Sequence, residues 1–394
     1  MYLPPSPLQL RLLQPTSGVF EVFPDKTHYL APVGVTYGIF SMDTHQCISL
    51  LEGKVDLLTS VTISERIMYG TNHTVIIAAC TNWNTDVLPF TSQYGIKVWD
   101  KNTGKFLQEF DGKLRSNAVV SDYLIEGKQC LVIIARCVSE IRIWRLDNGQ
   151  IVQKLTADDD RYSSMAVSES PLGSFIVTAG ELHITIRSLK NWQHKSVIDT
   201  QNGSDISCFI TAGYILSGKK YHVIISGHGD GKIAIWNIEN QTCLRTIIPA
   251  YTDTNPVTHL IVSEEIITGQ LFPVIISVAS DNKICVWRLD TGELLRTFED
   301  EYATRRYAGE IECMVAARRK INDKEYPIIM SGGADRLIQT RCLKTGRLLA
   351  RVPSLQQLAM DTARRNKYWQ GIPNPQECPA ALVAMFHRPF IKEP

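Results

Sequence analysis

GIKVWDKNTG (residues 95–104) recurs along the chain as EIRIWRLDNG (140–149), KIAIWNIENQ (232–241) and KICVWRLDTG (283–292). Each copy alternates apolar and polar residues up to a Trp and then enters a segment rich in Asp, Asn and Gly. That order is typical of a β-strand that runs into a tight hairpin turn. The segment therefore predicts one strand and one turn wherever it occurs.

Three more divergent copies extend the series: YGIFSMDTHQ (37–46), LHITIRSLKN (182–191) and RLIQTRCLKTG (336–346). When they are aligned with the four clear copies, Met42, Ile186 and Arg341 fall in the Trp column. The seven copies follow one another about every 50 residues, which indicates seven repeats of one supersecondary unit.

Three further strand-like segments surround each decapeptide. An apolar run precedes it, and a second apolar run lies further upstream. The nearer run is almost unbroken and β-branched, as expected for a strand that is buried on both faces. An alternating segment such as KFLQEF (105–110) follows the decapeptide and is typical of a sheet edge. Each repeat is thus predicted to hold four strands, in the order inner, buried, Trp-containing and edge.

A four-stranded sheet with two apolar faces cannot bury both by itself, but radial stacking lets each sheet cover its neighbour. We therefore predict an all-β fold, a single seven-bladed β-propeller of four-stranded antiparallel blades over residues 28–352. Residues 1–27 are predicted to form an N-terminal arm that joins blade 1. Residues 353–394 are predicted to form a short C-terminal extension with a helix over 354–369 and a closing strand over 381–386.

The innermost strand of blade 1 has two candidates. LQLRLL (8–13) is one, and PAALVAMF (379–386) is the other. The second has the same apolar texture as the first strands of later repeats, such as SCFITA (207–212). A C-terminal strand that completes blade 1 would leave no free edge at which the ring could open. We therefore favour 379–386.

The repeats resemble the WD-repeat β-propeller family. The Trp-Asp signature is complete only at Trp99-Asp100, whereas Arg145, Asn237 and Arg288 replace the Asp in other copies. The family's Gly-His pair before the first strand is absent, so the resemblance implies an incomplete hydrogen-bonded network around the Trp. A likeness of this kind concerns fold and says almost nothing about function. The repeat positions that it carries over are Trp99, Asp100, Trp144, Trp236, Trp287, Asp230, Asp281 and Asp335.

Composition excludes several function classes. Lys and Arg number 41 against 40 Asp and Glu, so no net field would draw the chain to nucleic acid or to a membrane. The ten cysteines contain no CxxC pair, and no nucleophile elbow, Walker A or HExxH motif occurs. We predict that the protein is not an enzyme and has no cofactor and no metal site. The absence of a signal sequence or a long apolar run predicts a reducing compartment, cytoplasm or nucleus.

One long segment and three connections between repeats carry the candidate binding residues. CTNWNTDVLPFTSQY (80–94) is predicted to be an insertion between strands two and three of blade 2, whose aromatic residues either bind a partner or fold back as an apolar plug. The connections at 156–163, 249–256 and 299–310 lie on the same predicted face and mix Tyr with charged residues, either as an interface or as a solvated surface. The candidate protein-binding residues are Trp83, Phe90, Tyr94, Tyr162, Tyr251, Tyr302, Arg305, Arg306 and Tyr307.

These features predict a non-catalytic scaffold or adaptor that presents a rigid surface to proteins or peptides within a larger complex. The alternative is an RNA-associated subunit of a ribonucleoprotein. Three groups of cations support it: Arg305 with Arg306, residues 318–320, and residues 364–369, which also contain aromatic rings. Cations combined with rings on which bases can stack are typical of RNA-binding surfaces. The near-neutral charge argues against autonomous RNA binding. A propeller enzyme or metal sensor is the third hypothesis, because a ring can bring distant residues together.

Overall fold

Seven four-stranded sheets make up the regular structure that the computed structural model describes. In each sheet the strands are antiparallel and lie in chain order, so each is a simple meander. We number the sheets 1 to 7 along the chain. The described residues are 21–22, 28–33, 36–41, 47–53, 57–68, 71–84, 91–111, 114–125, 128–137, 140–156, 164–170, 173–200, 204–216, 219–248, 255–267, 270–298, 311–321, 324–333 and 337–353.

The prediction of an all-β chain with four strands per repeat is confirmed, and seven such sheets are compatible with a seven-bladed propeller. The chain divides into two compact units, one of Met1–Asp111 with Tyr307–Pro394 and the other of Gly112–Arg306. The first unit holds sheets 1, 2 and 7, and the second holds sheets 3 to 6.

The strands of the first unit belong to three sheets. Sheet 1 consists of β1 (Glu21–Val22), β2 (His28–Val33), β3 (Thr36–Ser41) and β4 (Cys47–Leu50). Sheet 2 consists of β5 (Leu57–Met68), β6 (Thr71–Asn84), β7 (Thr91–Asp100) and β8 (Phe106–Asp111). Sheet 7 consists of β25 (Ile311–Ile321), β26 (Lys324–Gly333), β27 (Leu337–Cys342) and β28 (Leu348–Pro353).

The strands of the second unit form four sheets. Sheet 3 consists of β9 (Leu114–Ile125), β10 (Lys128–Cys137), β11 (Glu140–Arg145) and β12 (Ile151–Thr156). Sheet 4 consists of β13 (Ser164–Ser170), β14 (Gly173–Ala179), β15 (His183–Ser188) and β16 (His194–Asp199). Sheet 5 consists of β17 (Ile206–Leu216), β18 (Lys219–His228), β19 (Ile233–Asn237) and β20 (Cys243–Ile247). Sheet 6 consists of β21 (Val257–Ile267), β22 (Gln270–Ala279), β23 (Ile284–Arg288) and β24 (Leu294–Phe298).

The core of the second unit lies between consecutive sheets. Val223 and Ile225 of β18 pack against sheet 6, whereas Ile224 between them packs against sheet 4. A further apolar cluster joins sheets 3 and 4. The first strands of consecutive sheets also contact one another, β9 with β13, β13 with β17, and β17 with β21. An unbroken apolar second strand is therefore required, because successive side chains point to opposite faces and both faces are covered.

A β-bulge recurs at one position in all seven sheets, between the third and fourth strands. There the pairing register shifts by one residue, which inserts an extra residue into one strand and increases its local twist. The residue after the shift is Phe40, Trp99, Trp144, Arg187, Trp236, Trp287 and Arg341 in sheets 1 to 7.

This bulge defines the Trp column structurally and corrects two of its members. Arg341 was assigned correctly, but Arg187 rather than Ile186 holds the position in sheet 4, and Phe40 rather than Met42 holds it in sheet 1. Sequence alignment favoured an apolar match to Trp, whereas the register depends on the backbone pairing. Met42 itself lies outside the described residues.

The residue that closes the turn after the column differs from sheet to sheet. Asp100 accepts hydrogen bonds from the backbone N–H of Thr103 at 2.9 Å and from its hydroxyl at 2.8 Å. Asn237 replaces that Asp in sheet 5, and its side-chain oxygen accepts from the N–H of Glu239 at 2.7 Å. A short polar side chain that accepts from the backbone in this way is a common turn-forming element.

Where Arg replaces the Asp, a carboxylate two residues later binds it. Arg145 pairs with Asp147, the shorter contact being 2.5 Å. Arg288 pairs with Asp290 through two contacts of 2.9 and 2.6 Å, and these hydrogen bonds raise the pKa of Arg288. The planar guanidinium suits such two-point recognition of a carboxylate. Both Trp-Arg-Leu-Asp segments thus form a closed turn without the Asp that follows Trp99.

Each of these turns also requires one residue with positive φ. Gly104, Gly149, Gly292 and Gly346 supply it in four sheets, with φ between 68° and 73°. Trp192 and Gln241 hold the equivalent position in sheets 4 and 5, with φ of 60° and 62°, and their N–H groups bond to the carbonyl four residues earlier, as that of Gly104 does. Trp192 gains a contact, since its ring centroid lies 4.8 Å from that of Tyr123.

The first-to-second strand connections of sheets 2 to 7 are tight hairpins. Their pairing continues until two residues separate the strands, as at Ile125↔Lys128 and Leu216↔Lys219. Strand pairing therefore accounts for nearly all the length of these connections.

The segment 80–94 differs from its prediction as a long inserted loop. Strand β6 continues to Asn84 and β7 begins at Thr91, and the two pair through Asn84↔Thr91. The insertion is therefore largely a longer hairpin of sheet 2, because antiparallel pairing satisfies the backbone groups that a loop would leave to water.

The strand beside β2 is β1, paired at Glu21↔Leu30 and Val22↔Tyr29. This strand belongs to neither of the two candidates for the innermost position of blade 1, 8–13 and 379–386. Those segments and the predicted helix over 354–369 lie outside the described residues, and so does Asp335.

We expect Gln241→Gly to raise the free energy of unfolding by about 0.5–1 kcal/mol. The left-handed backbone costs a non-Gly residue about 1–2 kcal/mol, and the greater chain entropy of Gly offsets part of that gain. Chemical denaturation would measure the change.

Gln241→Ala is the matched control and should give no gain, because it removes the side chain and keeps the strain. Gly292→Ala should destabilise, since a Cβ there would lie 2.7 Å from Cδ of Arg245. An equal gain for Gln241→Ala and Gln241→Gly would contradict the role given to φ.

Candidate functional site

The candidate binding residues are distributed over one hairpin and several connections. Trp83 and Tyr94 lie on the backbone of the β6–β7 hairpin, where Trp83 pairs with Ser92 and Tyr94 with Thr81. The side chains of these two residues lie outside the described part of the chain. So do Phe90, Tyr162, Tyr251, Tyr302, Arg305, Arg306 and Tyr307, and their grouping as one surface stays a prediction.

The root of the β6–β7 hairpin is buried. The Cys80 thiol lies 3.4 Å from the carbonyl oxygen of Gly95 on the facing strand. Burial raises the pKa of Cys80 to about 12, so the thiol stays protonated near neutral pH and is a poor nucleophile. The hairpin thus projects from a well-packed base, and its cysteine is structural.

In the second unit, the segments that enter sheets 5 and 6 are bound to the turns between strands two and three. The N–H of Gly229 donates to the carbonyl of Asp205 at 2.8 Å, and the N–H of Ser280 donates to that of Pro256 at 2.9 Å. This places each of the two inter-sheet segments beside the second-to-third turn of the sheet that it enters. The segments that contain Tyr162 and Tyr251 are connections of the same class.

The turn aspartates of these two sheets stabilise their own turns. Asp230 and Asp281 form ion pairs with Lys232 at 2.6 Å and Lys283 at 3.2 Å. Each also accepts the backbone N–H of that lysine. The pKa of Asp230 is lowered, because the bonds and charge of Lys232 outweigh the opposing effect of burial. Half-exposed pairs of this kind contribute little to stability by themselves.

A buried hydrogen-bond network links the Trp column of sheet 5 to the same turn. Trp236 donates through Nε1 to the hydroxyl of Ser226 at 3.0 Å. That hydroxyl lies 3.0 Å from Nε2 of His228, whose Nδ1 lies 3.3 Å from the carbonyl oxygen of Ser204. Sheet 6 keeps only the first step, from Trp287 to Ser277 at 2.9 Å.

The His of this network lies at the end of a second strand. His228 is the last residue of β18 in sheet 5, whereas the resemblance implies a His before the first strand. Its sequence signal is weak, since a His two residues after a Ser is common. Only the fold brings Ser204, 24 residues earlier, against its ring.

In sheets 2 and 4 the residue of the Trp column donates a hydrogen bond to the preceding sheet. Nε1 of Trp99 donates to the carbonyl of Glu52, just after β4, at 3.0 Å. Arg187 is buried, and its Nη2 donates to the carbonyl of Thr156 at the end of β12, at 3.2 Å. Sequence reasoning missed this equivalence because it placed Ile186 in the column.

One buried ion pair was also missed. Glu265 of β21 is almost fully buried, and its Oε2 lies 2.5 Å from Nη1 of Arg296 on β24. Arg288 stacks nearby on the ring of Phe272 at 4.2 Å. A cation held over an aromatic ring in this way is a stabilising contact.

Among the described residues, no group of three or more His, Cys, Asp or Glu side chains is arranged to hold a metal ion. That same portion of the chain has no helix with the length and apolar character needed to cross a membrane.

We expect Ser277→Ala to lower the free energy of unfolding by about 1–3 kcal/mol, the usual cost of one buried donor without a partner. Ser226→Ala should cost roughly twice as much, because it leaves both Trp236 Nε1–H and His228 Nε2 without their partner. Urea denaturation followed by Trp fluorescence would measure both.

Ser280→Ala is the control, since its half-buried hydroxyl lies in the adjacent turn and forms no hydrogen bond with the described residues; a change within about 0.5 kcal/mol is expected. Equal losses for Ser226→Ala and Ser277→Ala would show that His228 adds nothing to the network.

No protein-family model matches the sequence. The chain is 24% identical over 153 residues to autophagy-related protein 16 of Arabidopsis thaliana, a stretch that covers 39% of this chain and 28% of that protein. Among solved structures, the crystal structure of the computationally designed Ika8 protein is similar, with a TM-score of 0.53 and 16% identity, covering 89% of each chain. At that identity the structural similarity concerns the fold alone.

Proposed function

We propose that the seven sheets are the blades of a WD-repeat β-propeller that acts as a non-catalytic scaffold or adaptor. It would present a rigid surface to proteins or peptides within a larger complex. The fold part of the proposal is supported by the bulge that recurs between the third and fourth strands of each sheet. It is also supported by the apolar cores between consecutive sheets of the second unit.

The observation that carries the functional part is the attachment of connecting segments to the turns. Gly229 and Ser280 each hold an inter-sheet segment by a short backbone hydrogen bond. Segments held in this way lose little conformational entropy when a partner binds, so their side chains can contribute to affinity. Aromatic and Arg residues, which dominate binding energy at interfaces, are the residue types predicted on such segments.

The similarity to autophagy-related protein 16 covers little more than a quarter of that protein. It makes an autophagy-related assembly the first context in which to search for a partner. The proposal assigns the chain no catalytic group, no cofactor and no metal, and the site of action that it favours is the cytoplasm or nucleus.

We expect the combined substitution of Trp83, Phe90, Arg305 and Arg306 by Ala to abolish recovery of partners in a pull-down from the native source. The reason is that interface energy concentrates in a few aromatic and Arg side chains. Circular dichroism should be unchanged, which would show that the fold survives.

The matched control replaces four exposed residues on turns between third and fourth strands, Asn102, Asn148, Asn191 and Asn240, by Ala. This variant should keep its partners. Undiminished recovery with the first variant would reject that surface.

The alternative proposal is association with RNA through Arg318, Arg319 and Lys320 on β25 together with Arg305 and Arg306. Binding of this kind weakens steeply as salt rises, because counterions are released from the phosphates. Binding to homopolymer RNA with a steep salt dependence would favour this alternative, and no binding at low salt would eliminate it.

A further inference from the structure

Sheets 5 and 6 share one turn design and differ at the second residue after the Ser that accepts from the column Trp. Each has a column Trp that donates to a Ser on the second strand and a turn N–H that holds the incoming segment. The strand pairing, Ile224↔Trp236 and Ile275↔Trp287, makes His228 of sheet 5 equivalent to Ala279 of sheet 6. The molecule therefore contains the same device with and without a titratable ring.

The hydrogen bonds around His228 fit a neutral ring. The carbonyl oxygen of Ser204 can only accept a hydrogen bond. Nδ1 of His228 therefore carries a hydrogen and donates it to that oxygen. The Ser226 hydroxyl accepts from Trp236 and has its own hydrogen to give, so it donates to Nε2. Every polar atom of the ring is satisfied in this state, and its exposed fraction is 0%.

A second proton disturbs this arrangement. It must be placed on Nε2, where the hydroxyl hydrogen of Ser226 points. That hydroxyl would have to turn to the carbonyl of Ala234, 3.5 Å away. The ring would also gain a charge while it has no solvent-exposed surface, and burying an unpaired charge is costly.

The charged groups nearby compensate only in part. On the turn itself Asp230 favours the charged ring, but it already pairs with Lys232, which opposes that charge. Asp205 on the incoming segment is exposed, and Glu181 on the adjoining turn of sheet 4 is half-buried. Burial has the larger effect and lowers the pKa of His228.

The incoming segment is held on the turn by two hydrogen bonds. Ser204 and Asp205 are attached through His228 Nδ1–H and through the N–H of Gly229. They pack so closely on that turn that a Cβ on Gly229 would lie 3.1 Å from Oγ of Ser204. A charged ring reaches water only if this segment separates from the turn.

We propose that His228 is an acid-sensitive latch, which holds the Ser204–Asp205 segment on the turn of sheet 5 when neutral and releases it when protonated. The direction of the effect follows from linkage. In the released state the ring titrates near its ordinary pKa of about 6.5. The latched state binds the proton less readily, so latching is complete above about pH 6.5 and is lost as the pH falls below it.

Hydrogen exchange of the unmodified chain provides the test. The amides of Gly229 and Ser280 make the same bond in the two sheets, so each should exchange when its segment opens. Between pH 7.5 and 5.5, after correction for intrinsic rates, the opening equilibrium at Gly229 should rise about tenfold. Ser280 should not change, because Ala279 replaces the His.

His228→Ala provides a second arm, since Ala279 shows that the backbone bond forms without the ring. In this variant the pH dependence at Gly229 should disappear. A parallel rise at both amides, no rise at either, or a rise that persists in His228→Ala would each overturn the latch. If the variant fails to fold, the comparison of the two amides within the native chain still decides, and neither arm requires a partner.

Discussion

The rest of this structure depends on one constraint: in each sheet, both faces of the second strand must be covered. In β18 the side chains of Val223 and Ile225 enter one interface and that of Ile224 enters the opposite one. Neither interface exists in an isolated sheet, so a single repeat has no complete core. The stability of each sheet in the second unit is therefore shared with its neighbours, as expected for stacked repeats.

The bulge before the fourth strand adds a second, local constraint. In sheets 2 to 7 the residue at the bulge is a buried Trp or Arg, and its polar group needs an acceptor there. The molecule meets this need with a serine hydroxyl in sheets 5 and 6, and with a carbonyl of the preceding sheet for Trp99 and Arg187. One geometric position thus tolerates Trp and Arg, provided that an acceptor is within reach.

Much of the fold could be predicted from sequence because its signals are local. Unbroken β-branched runs located the second strands, and short polar segments that end in Gly, such as 147–149 and 290–292, located the turns. The column was misassigned at Ile186 because register depends on pairing between strands. The 80–94 segment was predicted to be an inserted loop, because it lengthens the stretch between the second and third strands of this repeat.

The candidate site was less predictable than the fold. The contact of His228 with Ser204 joins residues whose sequence spacing carries no rule, and only the packing of a connecting segment on a turn creates it. Aromatic and Arg residues such as Phe90 and Arg305 can be recognised as interface types, but periodicity does not determine their position on connections.

The paired turns at Arg145–Asp147 and Arg288–Asp290 have a practical consequence for recognising distant repeats. A search pattern that scores the dipeptide Trp-Asp treats both segments as degenerate repeats, although their turns are closed by a two-point ion pair. The four-residue pattern Trp-Arg-Leu-Asp describes the same backbone with the carboxylate moved two places along the chain. Sequence profiles that accept both the Trp-Asp and the Trp-Arg-Leu-Asp pattern would detect repeats that the dipeptide alone misses.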